Sequence, residues 1–254
     1  MKKIFCFILT LSLLFMAGAS LVSCEAFDTP ETMVTKAVAK TALQDSYAGQ
    51  ISMDLSFELL GEKMEMKISS DMKAEGVKGD DPEVEMKTTV EAMGEKSEST
   101  TYIQDGWSYI ASGGEGYKTK NDDGIGSDDT VDSIIKEIPK DLFENTEIVK
   151  AEDGTRSVTV TVPAEIFAEL YDELVEQMLE TLGEQMEFVV SDAVVKISVK
   201  DGLICSYELA FDVTMEILGQ SFTVDAKASV VFVQFGGVEV EMPESYKNFK
   251  ELEK

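Results

Sequence analysis

The residues of this sequence that could carry out chemistry are mainly carboxylates, because its 254 residues include 49 Asp and Glu, 22 Lys and Arg, and no histidine. Histidine is the commonest general base in enzymes. Its absence also excludes the Ser-His-Asp and Cys-His arrangements and most zinc sites. The net charge of -27 argues against a nucleic-acid partner, since few cations could neutralise phosphates. We therefore expect a protein that is not an enzyme and has no cofactor.

Three local patterns suggest chemistry but match their motifs poorly. Ser70–Lys73 and Ser133–Lys136 fit the Ser-x-x-Lys motif of penicillin-recognising enzymes, but the Lys-Thr-Gly and Ser-Asp-Asn companion motifs are absent. The acidic segment 121–129 lacks the alternating Asp spacing and the final Glu of a calcium loop. Most carboxylates occupy the polar positions of alternating segments, which favours solvated surface over a glycosidase pair. We predict no catalytic residue and no metal site.

The N-terminus has the pattern of an export signal. Lys2 and Lys3 precede an apolar core at Ile4–Phe15, and small residues follow it. The apolar stretch is short for a membrane span and is not followed by a basic cluster. Leu-Val-Ser-Cys at 21–24 resembles the lipobox of bacterial lipoproteins, and this resemblance implies that Cys24 carries diacylglycerol through a thioether, with acyl groups such as palmitate. The alternative is an ordinary secretory signal with an accidental cysteine.

This signal predicts the organisation of the chain. We expect a signal peptide at 1–23, a tether at 24–29 with lipidated Cys24, a single domain at 30–245 and a polar C-terminal tail at 246–254. Acyl chains hold a protein to a bilayer at ~0.8 kcal/mol per buried methylene. The protein is therefore expected to be extracytoplasmic and anchored to the bacterial cell membrane. Cys205 would be the remaining cysteine of the folded domain, and the alternation places it on one apolar face with Leu203 and Tyr207, which favours a packed thiol.

The mature sequence alternates between apolar and polar residues over long runs, which is typical of half-buried antiparallel strands. Thr29-Pro30 predicts a helix to about Tyr47, and further helices are expected at 129–143 and 163–182. Asp-Gly pairs at 105, 153 and 201 predict hairpin turns. Long strands are expected at about 187–200, 203–216 and 220–235, with a short one at 238–242.

The fold class predicted from this pattern is α+β. Because strand twist accumulates, we expect a strongly curved antiparallel sheet, a half-barrel of about 9–11 strands, with two or three helices on its concave face. So few helices cover such a sheet incompletely, which predicts an apolar cavity between the layers. Methionine is frequent there and adapts to variable apolar shapes. The residues predicted to line the cavity are Met53, Leu55, Phe57, Met64, Met66, Ile68, Met86, Phe167, Leu170, Leu174, Met178, Leu209, Phe211 and Met215.

The sequence resembles a family of bacterial lipoproteins. The resemblance lies in the lipobox, the N-terminal helix, the Met-rich strands, the turn block Thr101–Tyr109, the segment Gly116-Tyr117-Lys118 after it and the closing hairpins up to Pro243. These features are similar to the lipoproteins related to the Lol carriers and to the LppX/LprG lipid-binding group. The resemblance implies a half-barrel with a cavity for acyl chains and no catalytic residues. Two features depart from this family. The high negative charge and the single arginine, Arg156, leave few cations to pair with an anionic lipid headgroup.

Two functions remain open from the sequence. The first is a membrane-anchored lipoprotein, expected to be a monomer, that binds a lipid or an acylated molecule for transfer or sensing at the cell surface. The second is a non-catalytic structural or interaction lipoprotein with a filled core. The two differ in whether side chains of the protein itself fill the space against the inner face of the sheet.

Overall fold

The computed structural model describes residues 29–59, 62–79, 81–120, 139–170, 187–217 and 220–252. Their dominant element is one open, curved and almost entirely antiparallel sheet of 13 strands. This count exceeds the 9–11 strands expected, because short strands extend the sheet at both edges and one predicted strand is divided in two. None of the described helices is both long enough and apolar enough to cross a membrane.

Most neighbouring strands of the sheet are consecutive in the sequence. Beginning at the edge near the C-terminus, the order is β13-β6-β5-β4-β3-β2-β1-β12-β11-β10-β8-β7, and β9 pairs with β11 beside β10. The strands are β1 Ser46–Leu59, β2 Glu62–Glu75, β3 Glu83–Ala92, β4 Glu95–Gln104, β5 Trp107–Ser112, β6 Glu115–Lys120, β7 Val149–Lys150, β8 Arg156–Val162, β9 Glu187–Val190, β10 Ala193–Lys200, β11 Leu203–Ile217, β12 Gln220–Phe235 and β13 Lys250–Glu251.

Two α-helices are described, α1 at Pro30–Thr41 and α2 at Ala164–Leu170, with 3₁₀ turns at Lys140–Phe143 and Glu244–Asn248. The Thr29 side chain caps the first turn of α1 in a reciprocal arrangement with Thr32, and Pro30 fits the first helical position. The remainder of the helix predicted at 163–182, including Leu174 and Met178, lies outside the described residues, as does most of the helix predicted at 129–143. The placement of the helices on a concave face stays a prediction.

Helix α1 packs against the sheet through one apolar stripe. Its buried residues are Met33, Val34, Ala37, Val38 and Thr41, at the spacing of one helical face. At its end, the Thr41 hydroxyl accepts a hydrogen bond of 2.9 Å from the backbone N–H of Ile204 on β11. The helix ends at Thr41 and not near Tyr47 as predicted, because Tyr47 already belongs to β1 and packs edge-on against Phe232.

Beta-bulges adjust the central strands at two places. At the Ala48/Gly49 irregularity, Gly49 approaches β12 so closely that a Cβ there would lie 2.8 Å from the carbonyl oxygen of Val231. The second bulge faces Ser198/Val199, where Cys205 is the extra residue of β11. The extra residue shifts the register, so Ile204 and not Cys205 is fully buried. The prediction that Leu203 and Cys205 share one face with Tyr207 was therefore wrong.

The strand predicted at 187–200 is divided at Ser191–Asp192. Asp192 Oδ1 accepts a hydrogen bond of 2.9 Å from the N–H of Ala164, the first residue of α2. Ser191 exchanges hydrogen bonds with the backbone of Asp212 on β11. These side chains satisfy the backbone groups of α2 and β11, so the strand is interrupted where the helix meets the sheet.

The C-terminal segment packs on the face of the sheet opposite to α1. Residues 238–242 form no strand, contrary to the prediction, and Val240 N–H donates to Glu75 Oε1 at 2.9 Å. Tyr246 packs edge-on against Tyr102, with the ring centroids 4.9 Å apart. Gly116 permits the approach of Phe249, because a Cβ at Gly116 would collide with its ring. Residues predicted as a polar tail therefore contribute aromatic side chains to a second hydrophobic cluster.

The buried carboxylate of Glu85 lies beside this second cluster. The Glu85 carboxylate accepts a hydrogen bond of 2.8 Å from the Tyr102 hydroxyl and pairs with Lys73 and Lys87. Burial alone would raise the pKa of Glu85, but hydrogen bonds from Lys87, Tyr102 and Lys73 outweigh it and the net pKa is lowered. A carboxyl with a lowered pKa contributes stability above its ordinary pKa, and that contribution is lost as pH falls.

Replacing this carboxylate tests its contribution. We expect Glu85→Gln to lower the free energy of unfolding by about 2 kcal/mol at neutral pH, because charge-assisted hydrogen bonds are lost. The difference from the wild-type protein should shrink as pH falls below the ordinary Glu value of about 4.3. Urea denaturation at a series of pH values measures both effects. Glu91→Gln, an exposed position on the same strand, is the matched control. A difference that is independent of pH would contradict the role assigned to the Glu85 charge.

Candidate functional site

The side chains of the sheet that join the main hydrophobic cluster with α1 define what we call the inner face. On β2, β1, β12, β11 and β10, this face consists of rows of side chains paired across the strands. Two rows near α1 are closed to solvent. Their members are Ile68, Met53, Ala228, Leu209 and Val195 in one row and Ser70, Ile51, Val230, Tyr207 and Ile197 in the next, each at most 7% exposed.

Toward the 59–62 and 217–220 ends of the same strands, the inner face is partly open. The next row pairs Met66, Leu55, Ala226 and Phe211, and the following one pairs Met64, Phe57, Val224 and Val213. A third row pairs Phe222 with Met215. Apart from buried Ala226, these side chains are half-buried. We call the nine half-buried residues the apolar wall: Leu55, Phe57, Met64, Met66, Phe211, Val213, Met215, Phe222 and Val224.

Helix α2 lies at the boundary between the closed rows and the apolar wall. Its Phe167 is 4% exposed and packs against Phe211, with the ring centroids 4.9 Å apart. The hydrogen bond from Ala164 N–H to Asp192 fixes the start of the helix beside the strand interruption. Phe167 was predicted as a cavity residue, and it forms the edge of the closed core next to the open rows.

The inner face of β2, β3 and β4 also carries buried hydroxyls. Ser70 and Thr88 are opposite each other, and their hydroxyl oxygens are 2.8 Å apart in a hydrogen bond. Thr101 is opposite Met86, which places it diagonally to Thr88. Thr101 is 2% exposed, and its hydroxyl has no hydrogen-bond partner among the described residues. Sequence reasoning missed these hydroxyls, although they stand at inner positions of the same alternation.

A polar pocket of about 380 Å³ lies beside β1, β2 and β12, and most of its lining belongs to the outer face. It is lined by Asp54, Leu55, Ser56, Lys63, Glu65, Met66, Lys67, Asp225 and Lys227. Beside it, Asp212 faces Asp225 across β11 and β12. Burial and the hydrogen bond with Asp225 raise the pKa of the Asp212 carboxyl. The lining charges of both signs are solvent-exposed, which is typical of a hydrated surface.

The structure separates the predicted cavity residues into three groups. Met53, Ile68, Met86, Phe167 and Leu209 belong to the closed core, with exposures of at most 7%. Leu55, Phe57, Met64, Met66, Phe211 and Met215 belong to the apolar wall. The side chain of Leu170 and residues Leu174 and Met178 lie outside what the structure describes. Val213, Phe222 and Val224 were not predicted, although the same two-residue period places them on this face.

The residues considered for catalysis are separated in space. Ser70 is buried on the inner face, whereas Lys73 points to the outer face and pairs with Glu85. Ser133, Lys136 and the acidic segment 121–129 lie outside the described residues. Within the described ranges, no group of three or more Cys, Asp and Glu side chains could hold a metal ion. Burial raises the pKa of the Cys205 thiol, which favours the unreactive protonated form.

Comparison with known proteins gives a likeness to solved structures. No family model matches the chain, and no curated protein matches it. LprF from Mycobacterium bovis is 13% identical, with 85% of this chain and 96% of that chain covered and a TM-score of 0.48. The lipoprotein LppX from Mycobacterium tuberculosis is 10% identical, with 84% and 97% covered and a TM-score of 0.40.

A third similar structure is a DUF1329 family protein from Desulfovibrio piger, 11% identical, with 87% of this chain and 97% of that chain covered and a TM-score of 0.26. LppX is one of the two proteins that give their names to the group that the sequence pattern indicated.

The difference in burial between the closed rows and the apolar wall can be tested with two variants of β2. We expect Ile68→Ala to lower the free energy of unfolding by about 3 kcal/mol, because it leaves a cavity in a closed row. Met66→Ala should cost about 1 kcal/mol or less, because Met66 already contacts solvent. Urea denaturation of both variants measures this. Equal costs would contradict the boundary drawn between Ile68 and Met66.

Proposed function

We propose that this protein is a membrane-anchored, extracytoplasmic lipoprotein that binds a lipid or an acylated molecule against its apolar wall. One observation carries the proposal: nine apolar side chains remain half-buried in three adjacent rows of the inner face. Contiguous apolar surface on a soluble domain marks a place where something binds. The role that we infer is binding for transfer or sensing, and not catalysis.

The chemistry of the apolar wall favours an acyl chain as the occupant. The wall contains only aliphatic, thioether and phenyl side chains, which offer no hydrogen bonds to a peptide backbone. Covering apolar surface contributes about 25 cal/mol per Å², so a long hydrocarbon chain gains affinity along the whole length of its contact. The three methionines of the wall, Met64, Met66 and Met215, adapt their shape to different chains.

The anchor proposed at Cys24 would keep the apolar wall close to a supply of such chains. Only four residues separate Cys24 from Thr29, the N-cap of α1. At ~3.5 Å per residue, an extended tether of this length keeps the start of the domain within ~20 Å of the bilayer surface. The net charge of -27 works against tight contact with anionic headgroups. We infer a domain that stands just above the membrane.

The alternative is a structural or interaction lipoprotein with a filled core. It is supported by the two closed rows, in which the protein's own side chains exclude solvent from the inner face. If the apolar wall binds no hydrocarbon, the structural or interaction function is better supported than lipid binding. Lipid binding to the wild-type protein therefore separates the two functions.

A charge placed on the apolar wall tests lipid binding directly. The full chain with Cys24→Ser would be purified, so that no attached acyl group competes. We expect native mass spectrometry to detect co-purifying lipid, and a fluorescent fatty acid to bind saturably. Val224→Asp should weaken this binding at least tenfold, because a carboxylate on the wall would be desolvated by the chain. Thr223→Asp adds the same charge to the outer face of the same strand and should leave binding unchanged.

Circular dichroism of both variants shows whether each one still folds. Val224 is half-buried, so its replacement is tolerated better than one in a closed row. A wild-type protein without bound lipid and without saturable binding would contradict the proposal. Equal loss of binding in Val224→Asp and Thr223→Asp would show that the apolar wall is not the binding surface.

The anchor is tested separately. We expect Cys24→Ser to abolish the incorporation of labelled palmitate and to release the protein from the membrane fraction, because the thioether-linked lipid is lost. Cys205→Ser is the matched control and should keep both the label and the membrane location, since Cys205 lies within a β-strand. Unchanged incorporation of labelled palmitate in the Cys24→Ser variant would show that this residue does not carry the anchor.

A further inference from the structure

We propose that Thr101, together with Ser70 and Thr88, forms a polar subsite on the inner face that donates hydrogen bonds to an uncharged carbonyl oxygen of the ligand. This inference rests on the proposed lipid-binding function and adds a specificity determinant to it. The subsite lies on β2, β3 and β4, on the same inner face as the apolar wall but in different rows.

The unpartnered hydroxyl of Thr101 is the first observation. Thr101 is 2% exposed, so its hydroxyl has lost most of its contact with water without gaining a partner among the described residues. Such a group lowers stability by the full cost of its desolvation unless another molecule supplies the missing hydrogen bond. Its neighbour across the strands is Met86, whose side chain cannot supply a strong acceptor.

The Ser70–Thr88 pair is the second observation. Both side chains are 3% exposed, and the single hydrogen bond between them uses one of their two O–H groups. One donor of the pair is therefore also available. In antiparallel sheets, diagonal neighbours such as Thr88 and Thr101 lie ~7–8 Å apart, so the three hydroxyls lie within one small region of the inner face.

The chemistry of this region selects the kind of group that fits. The subsite offers neutral donors, and Lys73 and Lys87 of the same two strands, β2 and β3, pair with Glu85 on the outer face. A phosphate or carboxylate held by hydroxyls alone would be a poorly compensated buried charge. A carbonyl oxygen accepts up to two hydrogen bonds without bringing a charge. An ester carbonyl of an acylated molecule therefore satisfies both the subsite and the apolar wall.

The spacing along β2 supports one ligand that reaches both regions. Ser70 is followed toward the N-terminal end of the strand by Ile68, Met66 and Met64, all on the inner face. At ~3.4 Å per residue, Ser70 lies ~14 Å from Met66 along the strand. This distance is within the length of a long acyl chain. Because Ser70 and Ile68 belong to rows that are closed without ligand, the ligand would have to displace part of this packing for its carbonyl to reach the hydroxyls while its chain runs toward the apolar wall.

The test compares two lipids with equal chains. Dipalmitoylglycerol carries ester carbonyls, and di-O-hexadecylglycerol has ether links in their place. In the full chain with Cys24→Ser, we expect the ester to displace a fluorescent fatty acid with about tenfold higher affinity than the ether, as one added hydrogen bond would give. Thr101→Val should reduce this ratio to about one. Thr100→Val, on the opposite face of the same strand, should keep the ratio.

Stability provides an independent readout. Without ligand, Thr101→Val should raise the midpoint of thermal unfolding, because a methyl group replaces an unsatisfied hydroxyl of similar size. A lower midpoint would show that the protein already satisfies this hydroxyl, which overturns the subsite. Equal affinities of the wild-type protein for ester and ether would also overturn it and leave the proposed function intact. Absence of binding for both lipids would overturn the proposed function itself.

Discussion

The in-register pairing of β2, β1, β12 and β11 is the constraint on which the other features of this protein depend. These strands contain 14 to 16 residues each, and their pairing continues over almost their full length. Because side chains alternate between faces, the register places like side chains in rows across the sheet. A slip of one residue would bring the charged outer side chains into the core. The closed rows and the apolar wall are successive parts of this one ladder.

The two faces of the sheet are covered by different parts of the chain. Helix α1 packs on the inner face near the β10–β11 hairpin, and the C-terminal segment covers the outer face beside Glu85 and Tyr102. Strands β3 and β4 therefore bury side chains on both faces, whereas β1 and β12 keep a charged face in water. Burial on both faces is typical of the more stable parts of a fold. The half-buried apolar wall lies mainly on β1, β12 and β11, whose outer face remains in water.

The long strands and the hairpin turns could be predicted from the sequence because each depends on local pattern. Asp105 and Gly106 both have positive φ, as the predicted tight turn requires, and β12 has the predicted bounds. The features that were missed depend on contacts between distant residues. Examples are the Cys205 bulge, the interruption at Ser191–Asp192 and the packing of Tyr246 on Tyr102. Each depends on contacts with residues that are distant in the sequence, and the periodicity of apolar residues does not indicate these contacts. The first half of β4 was also missed, because Lys96–Ser99 is polar on both faces.

The candidate site was predicted only in part for a similar reason. Alternation identifies which side chains face inward, but exposure along the strand depends on where the covering elements end. Met53 and Leu55 have the same pattern, yet Met53 is closed to solvent and Leu55 is half-buried. In the sequence, Ser70, Thr88 and Thr101 interrupt the apolar positions of the alternation, so they were not predicted as part of the site. In the proposed subsite these hydroxyls would supply directed hydrogen bonds, which the apolar wall lacks. In this proposal the non-directional wall sets the affinity for an acyl chain, and the hydroxyls discriminate between ligands with different polar groups.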